Sequence, residues 1–225
     1  MADTSPSYAL LERPVYEIGE ASRLLGVADS TLRWWLHGRD YRGRTYLPAL
    51  RPDRNSDVTV RWGEFIEAAV LRFLRRDRNI PLRELRLFRV EVTSRYPDVQ
   101  FPLATDQLFL KGGRLSLQEL AGLWEPSTGT VFDEAAARDF FERCRWQDHI
   151  ARSYGPRVEQ PHVQVQPDLQ FGAPQLRGVR TQAMFDLHTA GEPLRLIAED
   201  LELDVSEVEE AIAFERAIRP TRTAA

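Results

Sequence analysis

The sequence predicts a mainly α chain with small β hairpins, an α+β fold. Three observations carry that expectation. Apolar residues recur at helical spacing in three separate stretches, near 18–36, 62–88 and 181–218. Patches rich in Gly, Pro, Asp and Asn separate them and are flanked by short alternating segments suited to hairpins. Pro97 and Pro102 interrupt any long helical run between the second stretch and the third.

Composition narrows the class of protein. With 225 residues, 43% of them hydrophobic, the chain is long enough for one large or two small cores. A lone cysteine, Cys144, excludes a disulfide framework and a multi-cysteine zinc site. No apolar run reaches the roughly 20 residues of a membrane helix, and the first residues lack a basic region followed by an apolar one, so the expected location is the cytoplasm with no membrane partner. The net charge of −4 hides an asymmetry. Residues 21–97 hold 16 arginines against 9 carboxylates, and residues 160–225 hold 6 against 11. The front suits a polyanion and the rear does not. Lys111 is the sole lysine, an arginine bias that a GC-rich genome would produce by itself.

Residues 14–97 form the first expected domain. In "EASRLLGVADSTLRWWLHG", Ala21, Leu24 and Leu25 share one face of a first short helix, and Gly26 and Val27 make a turn. Asp29 to Leu36 form a second helix with Leu32, Trp35 and Leu36 inward and Ser30, Trp34 and His37 outward. Such a helix-turn-helix sets its second helix in the major groove, where Ser30, Thr31, Arg33 and Trp34 would meet bases and backbone. The next segment reads as a hairpin, or wing, of strands Tyr46–Leu50 and Val58–Trp62 with its tip at Arg51 to Asp57. Arg39, Arg42, Arg44, Arg51 and Arg54 lie in or beside it. A helix follows, with Phe65, Ile66, Ala69, Val70, Phe73 and Leu74 at core spacing, then a restart at Pro81 with Leu82, Leu85 and Phe88. Over about residues 14–90 this order resembles the winged helix-turn-helix of MerR-type regulators, with Trp34 and Trp35 standing where tyrosines are usual. The resemblance implies DNA contacts from Thr31, Arg33 and Trp34.

Residues 98–160 read as a middle α/β segment: a hairpin around Gly112 and Gly113, a short helix opening at Asp133, and a strand in "RWQDHIARSY". Residues 161–220 read as a C-terminal three-helix domain after an extended start, with helices near Thr181–Ala190, Pro193–Leu201 and Ser206–Ile218. Ser206 with Glu209 has the spacing of a capping box. Leu194, Ile197, Ala198, Leu201, Val205, Val208 and Ile212 supply its core. Because the last helix carries Glu207, Glu209 and Glu210, duplex phosphate would be repelled and a protein surface is the expected partner.

This tail resembles the small helical domain ending many VapB-type antitoxins. The matching elements are Gly172 with Pro174, Arg177-Gly178 with Arg180, Ala190-Gly191-Glu192, Ile197 to Asp200, and Ala211 to Glu215. A MerR-like head with this tail implies an antitoxin that silences a PIN-domain ribonuclease toxin, represses its own operator DNA, and acts as a homodimer without catalysis. Some such antitoxins block the toxin's carboxylate cluster with an arginine, for which Arg152, Arg157, Arg177 and Arg180 are the candidates. The alternative is a stand-alone regulator whose tail binds a ligand or another subunit.

No enzyme, cofactor or metal site is expected. His149, His162 and His188 lack paired helical spacing, Asp148 and His149 have no accompanying nucleophile, and Cys144 reads as a buried apolar residue. Gly112-Gly113 lacks the spacing of a phosphate loop.

Overall fold

A computed structural model describes residues 6–51, 54, 56–76, 101–106 and 139–219, with scattered positions between 81 and 100. The chain mixes helices with small two-stranded sheets and divides into two compact units, Met1–Arg152 and Ser153–Ala225. The expected hairpin at Gly112-Gly113, the helix start at Asp133 and the apolar positions Leu82, Leu85 and Phe88 lie outside the described residues.

In the first unit, α1 (Pro6–Glu12) leads into β1 (Pro14–Glu17), which pairs antiparallel with β4 (Thr59–Arg61). Helix α2 (Ile18–Leu25) ends at Gly26, whose φ of 62° is the left-handed conformation that closes a helix. Helix α3 (Asp29–His37) follows, with Leu32, Trp35 and Leu36 buried as their spacing requires. Gly38 ends it at φ 71°, where a Cβ would strike the Tyr46 carbonyl oxygen, so only glycine lets the chain turn here directly into a hairpin.

That hairpin differs from the expected one. Its strands are β2 (Arg39–Tyr41) and β3 (Arg44–Tyr46), not 46–50 with 58–62. Arg42 and Gly43, at φ 50° and 70°, form the two-residue turn, the pair of positive φ values that matches strand twist. Residues 47–50 cannot be a strand of a wing because the Ala49 and Leu50 amides both donate to the Trp35 carbonyl, at 2.7 and 3.0 Å. Val58 to Arg61 runs beside β1 instead.

Helix α4 (Trp62–Arg76) is buried nearly all round and is the core of this unit. The Trp62 ring stacks on Phe65 at 5.4 Å, Tyr16 packs on Phe65 at 4.8 Å, and Trp62 Nε1 donates to the Ala151 carbonyl at 2.6 Å. Phe101 seats on Gly63, where any Cβ would strike its ring. The alternating "RWQDHIARSY" is a hairpin rather than one strand: β5 (Cys144–Gln147) pairs with β6 (Ile150–Tyr154) across Asp148 and His149, at φ 51° and 64°. Burial raises the Cys144 thiol far above its ordinary pKa, so it stays an inert apolar group.

In the second unit, bridges Tyr154–Val165 and Gln164–Gln175 and the hairpin β7 (Gln175–Leu176) with β8 (Val179–Arg180) precede three helices, α5 (Thr181–Thr189), α6 (Leu194–Asp200) and α7 (Val205–Ile218). Met184, Ile197, Ala198, Val208, Ala211, Ile212 and Phe214 fill the space between them. The capping box is two residues earlier than the sequence suggested. Asp204 caps α7, and Glu207 returns to the Asp204 amide at 2.9 Å, which leaves Ser206 inside the first turn. Leu194 and Leu201 are only half-buried, and Val205 is exposed.

One buried ion pair fixes the loop between β3 and β4. Arg51 Nε donates to Glu64 Oε1 at 2.7 Å with both side chains 3% exposed, and its other nitrogens donate to the carbonyls of Asp57 and Thr59 at 2.8 and 2.6 Å. Replacing Arg51 by methionine leaves Glu64 charged and uncompensated, so Arg51→Met should lower the free energy of unfolding by about 3–5 kcal/mol. Adding Glu64→Leu should recover part of that. Urea denaturation followed by tryptophan fluorescence measures both, and a loss below about 1 kcal/mol would show that the pair does not hold the loop.

Candidate nucleic-acid interface

The α2–turn–α3 segment owes its rigidity to local bonds. Ser22 Oγ donates to the Asp29 carboxylate across the turn, and Val27 N donates to the Ser22 carbonyl at 2.9 Å. On α3, Ser30 and Arg33 are exposed and Thr31 is half-buried. Arg33 has no carboxylate partner among the described residues.

Trp34 is not the bare surface ring that the sequence suggested. It is half-buried, with its indole N–H enclosed and without a hydrogen-bond partner. The guanidinium carbon of Arg39 stands 3.7 Å over its ring centroid, Arg86 stands over the same ring at 5.1 Å, and Tyr46 meets it edge-on at 6.2 Å. Tyr41 lies 4.9 Å from Arg39 and 5.2 Å from Arg42. The tryptophan therefore does not offer a face to sugar and phosphate; it offers the cations stacked on it.

The arginines named from the sequence fall into two sets. Arg39 and Arg44, with Arg42 at the tip, are exposed on the hairpin and without a carboxylate partner among the described residues. Arg51 and Arg54 are spent. Arg51 is buried against Glu64, which removes it from any interface. Arg54 grips both oxygens of Asp40 at 3.1 Å and donates to the His37 carbonyl at 3.3 Å. Thr45 donates to the same carboxylate at 2.8 Å, and that bond first, then the one from Arg54, holds the Asp40 pKa below its ordinary value. Both corrections have one cause, since Arg51 and Arg54 are bound back to Glu64, Asp40 and the carbonyls of Asp57 and His37 instead of projecting from a wing tip.

The four tail candidates are also distinct. Arg152 pairs with Asp148 at 3.4 Å, and Arg157 donates to the Ala217 carbonyl at 3.0 Å. Arg177, at the β7–β8 turn, meets Glu207 at 3.4 Å, while exposed Arg180 donates to Gln170, from Nε at 2.8 Å. Arg180 alone of the four combines exposure with a neutral partner.

Arg86 was missed by sequence reasoning because nothing in "LRELRLF" marks one arginine above its neighbours. Tyr41 and Tyr46 left a signal, the symmetric "YRGRTY" around an Arg-Gly turn, which the stronger-looking cluster at 52–57 obscured. Among the described residues no group of three or more His, Cys, Asp or Glu is placed to hold a metal ion, and no helix is long and apolar enough to cross a membrane.

No family model matches the chain. It is 25% identical over 234 residues to "Uncharacterized protein Rv2308" of Mycobacterium tuberculosis (strain ATCC 25618 / H37Rv), a match that covers 96% of each chain. It also resembles the crystal structure of Rv2018 from Mycobacterium tuberculosis, with a TM-score of 0.70 and 21% identity over 90% of this chain and 99% of that one. The latter likeness shows that the chain shares a mixed helix-and-small-sheet fold with a crystallographically determined protein.

His162 gives a check on the second unit. Its Nδ1 lies 2.7 Å from Glu210 Oε2 and its amide donates to Glu210 Oε1 at 2.7 Å. The hydrogen bond to Glu210, then that carboxylate's charge, raises the His162 pKa above its usual value. A raised folded-state pKa contributes stability that is fully present below the unfolded value near ~6.5 and is lost as pH rises through the folded one. His162→Ala should therefore lower the melting temperature at pH 5.5 and leave it unchanged at pH 9; an equal effect at both would assign the residue a packing role only.

Proposed function

We propose that this chain is an antitoxin-type repressor: its first unit binds operator duplex DNA as a MerR-like winged helix-turn-helix, and its second binds and silences a PIN-domain ribonuclease toxin. Helix α3 is the recognition helix, and the β2–β3 hairpin is the wing. The protein works in the cytoplasm as a homodimer and is not an enzyme. The observation that carries the reading is the set of arginines beside α3 that have no carboxylate partner among the described residues. Ser30 and Arg33 on the helix and Arg39, Arg42 and Arg44 on the hairpin point to solvent in a unit where Arg51 and Arg54 are satisfied by carboxylates. Unpaired guanidinium groups beside an exposed helix suit phosphate and base edges.

The second unit supports a protein partner. Glu199, Asp200, Glu202, Asp204 and Glu209 are exposed on and around α6 and α7, a surface that repels nucleic acid. Within it, Arg180 is the candidate for the toxin's carboxylates, which would replace its weak amide partner by a charged one.

Coexpression with a neighbouring frame encoding a small acidic-site nuclease tests the toxin arm: one complex should elute with nuclease activity suppressed, and separate elution would leave a stand-alone regulator. For the DNA arm, a dimer that neutralises ~6 phosphates should give a log–log salt slope near about −5. Arg33→Ala should weaken operator binding by about 1–3 kcal/mol if the side chain reads a base. Gel-shift titration reads both, and a flat salt response would sink the DNA arm.

A further inference from the structure

We infer that Arg39 and Arg86, stacked together on Trp34, form a phosphate clamp for the backbone of duplex DNA, with Trp34 as the residue that positions them. The inference rests on the DNA-binding reading above and adds to it a residue, Arg86, from outside the helix-turn-helix and its hairpin.

Two like charges on one indole are a costly arrangement. Burial, and then the charge of Arg39, depress the proton affinity of Arg86, so its surroundings oppose the cation it nevertheless remains. A folded protein ordinarily relieves such a pair with a carboxylate, as it does for Arg51 with Glu64 and for Arg54 with Asp40. Here none is present among the described residues. Arg86 instead keeps two buried nitrogens, Nε and one terminal nitrogen, without a hydrogen-bond partner. The charge of the stacked pair is left for something outside the chain, with exposed Arg39 as its leading edge.

The stacking selects the ligand's chemistry. A guanidinium lying on an aromatic ring spends its face there and keeps its N–H edges free, in a plane, for oxygen acceptors. Stacking also fixes a side chain that would otherwise lose rotamer freedom on binding, which preorganises the clamp. A phosphodiester supplies the negative charge and the paired oxygens that two such edges require. A single strand would need an open aromatic face on which to stack its bases. Trp34 does not give one, since Arg39 and Arg86 stand over it and Tyr46 meets its edge. Duplex backbone is therefore the occupant.

Contacts to phosphate are independent of sequence, so random-sequence duplexes serve as the probe, with the same oligonucleotides as single strands in parallel. The full-length protein, Arg86→Gln, Arg39→Gln, Arg86→Lys and Trp34→Phe would be titrated from low to moderate salt, with circular-dichroism melts confirming that each is folded. Each Gln variant should bind duplex roughly tenfold more weakly, as the loss of a charged hydrogen bond implies, with a salt slope shallower by about 0.9 for each phosphate released. Arg86→Lys should keep the slope and lose affinity, because the charge remains but the planar stack does not. Trp34→Phe should retain most of both, a pattern that a merely structural tryptophan would not produce. If the unmodified chain binds duplex with a steep slope while both Gln variants match it, the clamp is overturned and the DNA reading stands. Absence of salt-dependent duplex binding by the unmodified chain, or tighter binding of the single strands, would overturn both.

Discussion

The arrangement of the first unit depends on a single buried ion pair. Arg51 reaches Glu64 from the loop after the hairpin, and Glu64 is in the first turn of α4, where its other oxygen also accepts the Arg61 amide at 2.9 Å. One carboxylate thus ties the loop, the end of β4 and the start of the central helix together. Backbone carbonyls of Asp57 and Thr59 and the second Glu64 oxygen accept from the terminal nitrogens of Arg51, one of which also lies 3.4 Å from His37 Nδ1, so the charge is compensated where water has left. Because the 51–59 loop is held against α4, it cannot serve as a wing tip, and the shorter hairpin at 39–46 becomes the projecting element. The residues available to a partner are decided by this packing and not by the number of arginines.

That distinction explains what the sequence revealed and what it did not. Helices declared themselves through apolar spacing: Leu32, Trp35 and Leu36 in α3, Phe65 to Leu74 in α4, and Val208 and Ile212 in α7 are all buried where periodicity put them. Hairpins were harder because their turns use left-handed residues that do not advertise themselves. Arg42 with Gly43 and Asp148 with His149 adopt positive φ, yet only one of those four is glycine. The Pro-, Asp- and Asn-rich run at 52–57 carried the louder turn signal and drew the strands to the wrong place. The cap of α7 was misplaced for a similar reason: Asp204 with Glu207 and Ser206 with Glu209 have the same spacing, and only the geometry selects between them.

At the site, exposure on a helix was legible and pairing was not. Ser30 and Arg33 follow from the phase of α3, which local sequence sets. Whether an arginine is free follows from carboxylates brought near by the fold: Glu64 to Arg51 across 13 positions, Asp40 to Arg54 across 14. Arg86 approaches Trp34 over a still longer separation, so no window of sequence contains the pair.

The two units handle charge in opposite ways, and the difference bears on what each can bind. In the first, the cations beside α3 stack on rings, an arrangement that leaves charge unneutralised while fixing the groups that carry it. In the second, two cations meet carboxylates, Arg177 with Glu207 and Arg219 with Glu215 at 3.7 Å while it stacks on Phe185 at 3.7 Å. Glu199, Asp200, Glu202, Asp204 and Glu209 are exposed there, with apolar Phe171 and Leu196 uncovered in the same unit. A surface of that composition gains from a polypeptide, which can cover apolar area and pair carboxylates at once, and gains nothing from a nucleic acid. The asymmetry visible in the amino-acid counts thus has a structural counterpart, since Arg39 and Arg86 stack on Trp34 in the first unit while exposed carboxylates gather on and around α6 and α7 in the second.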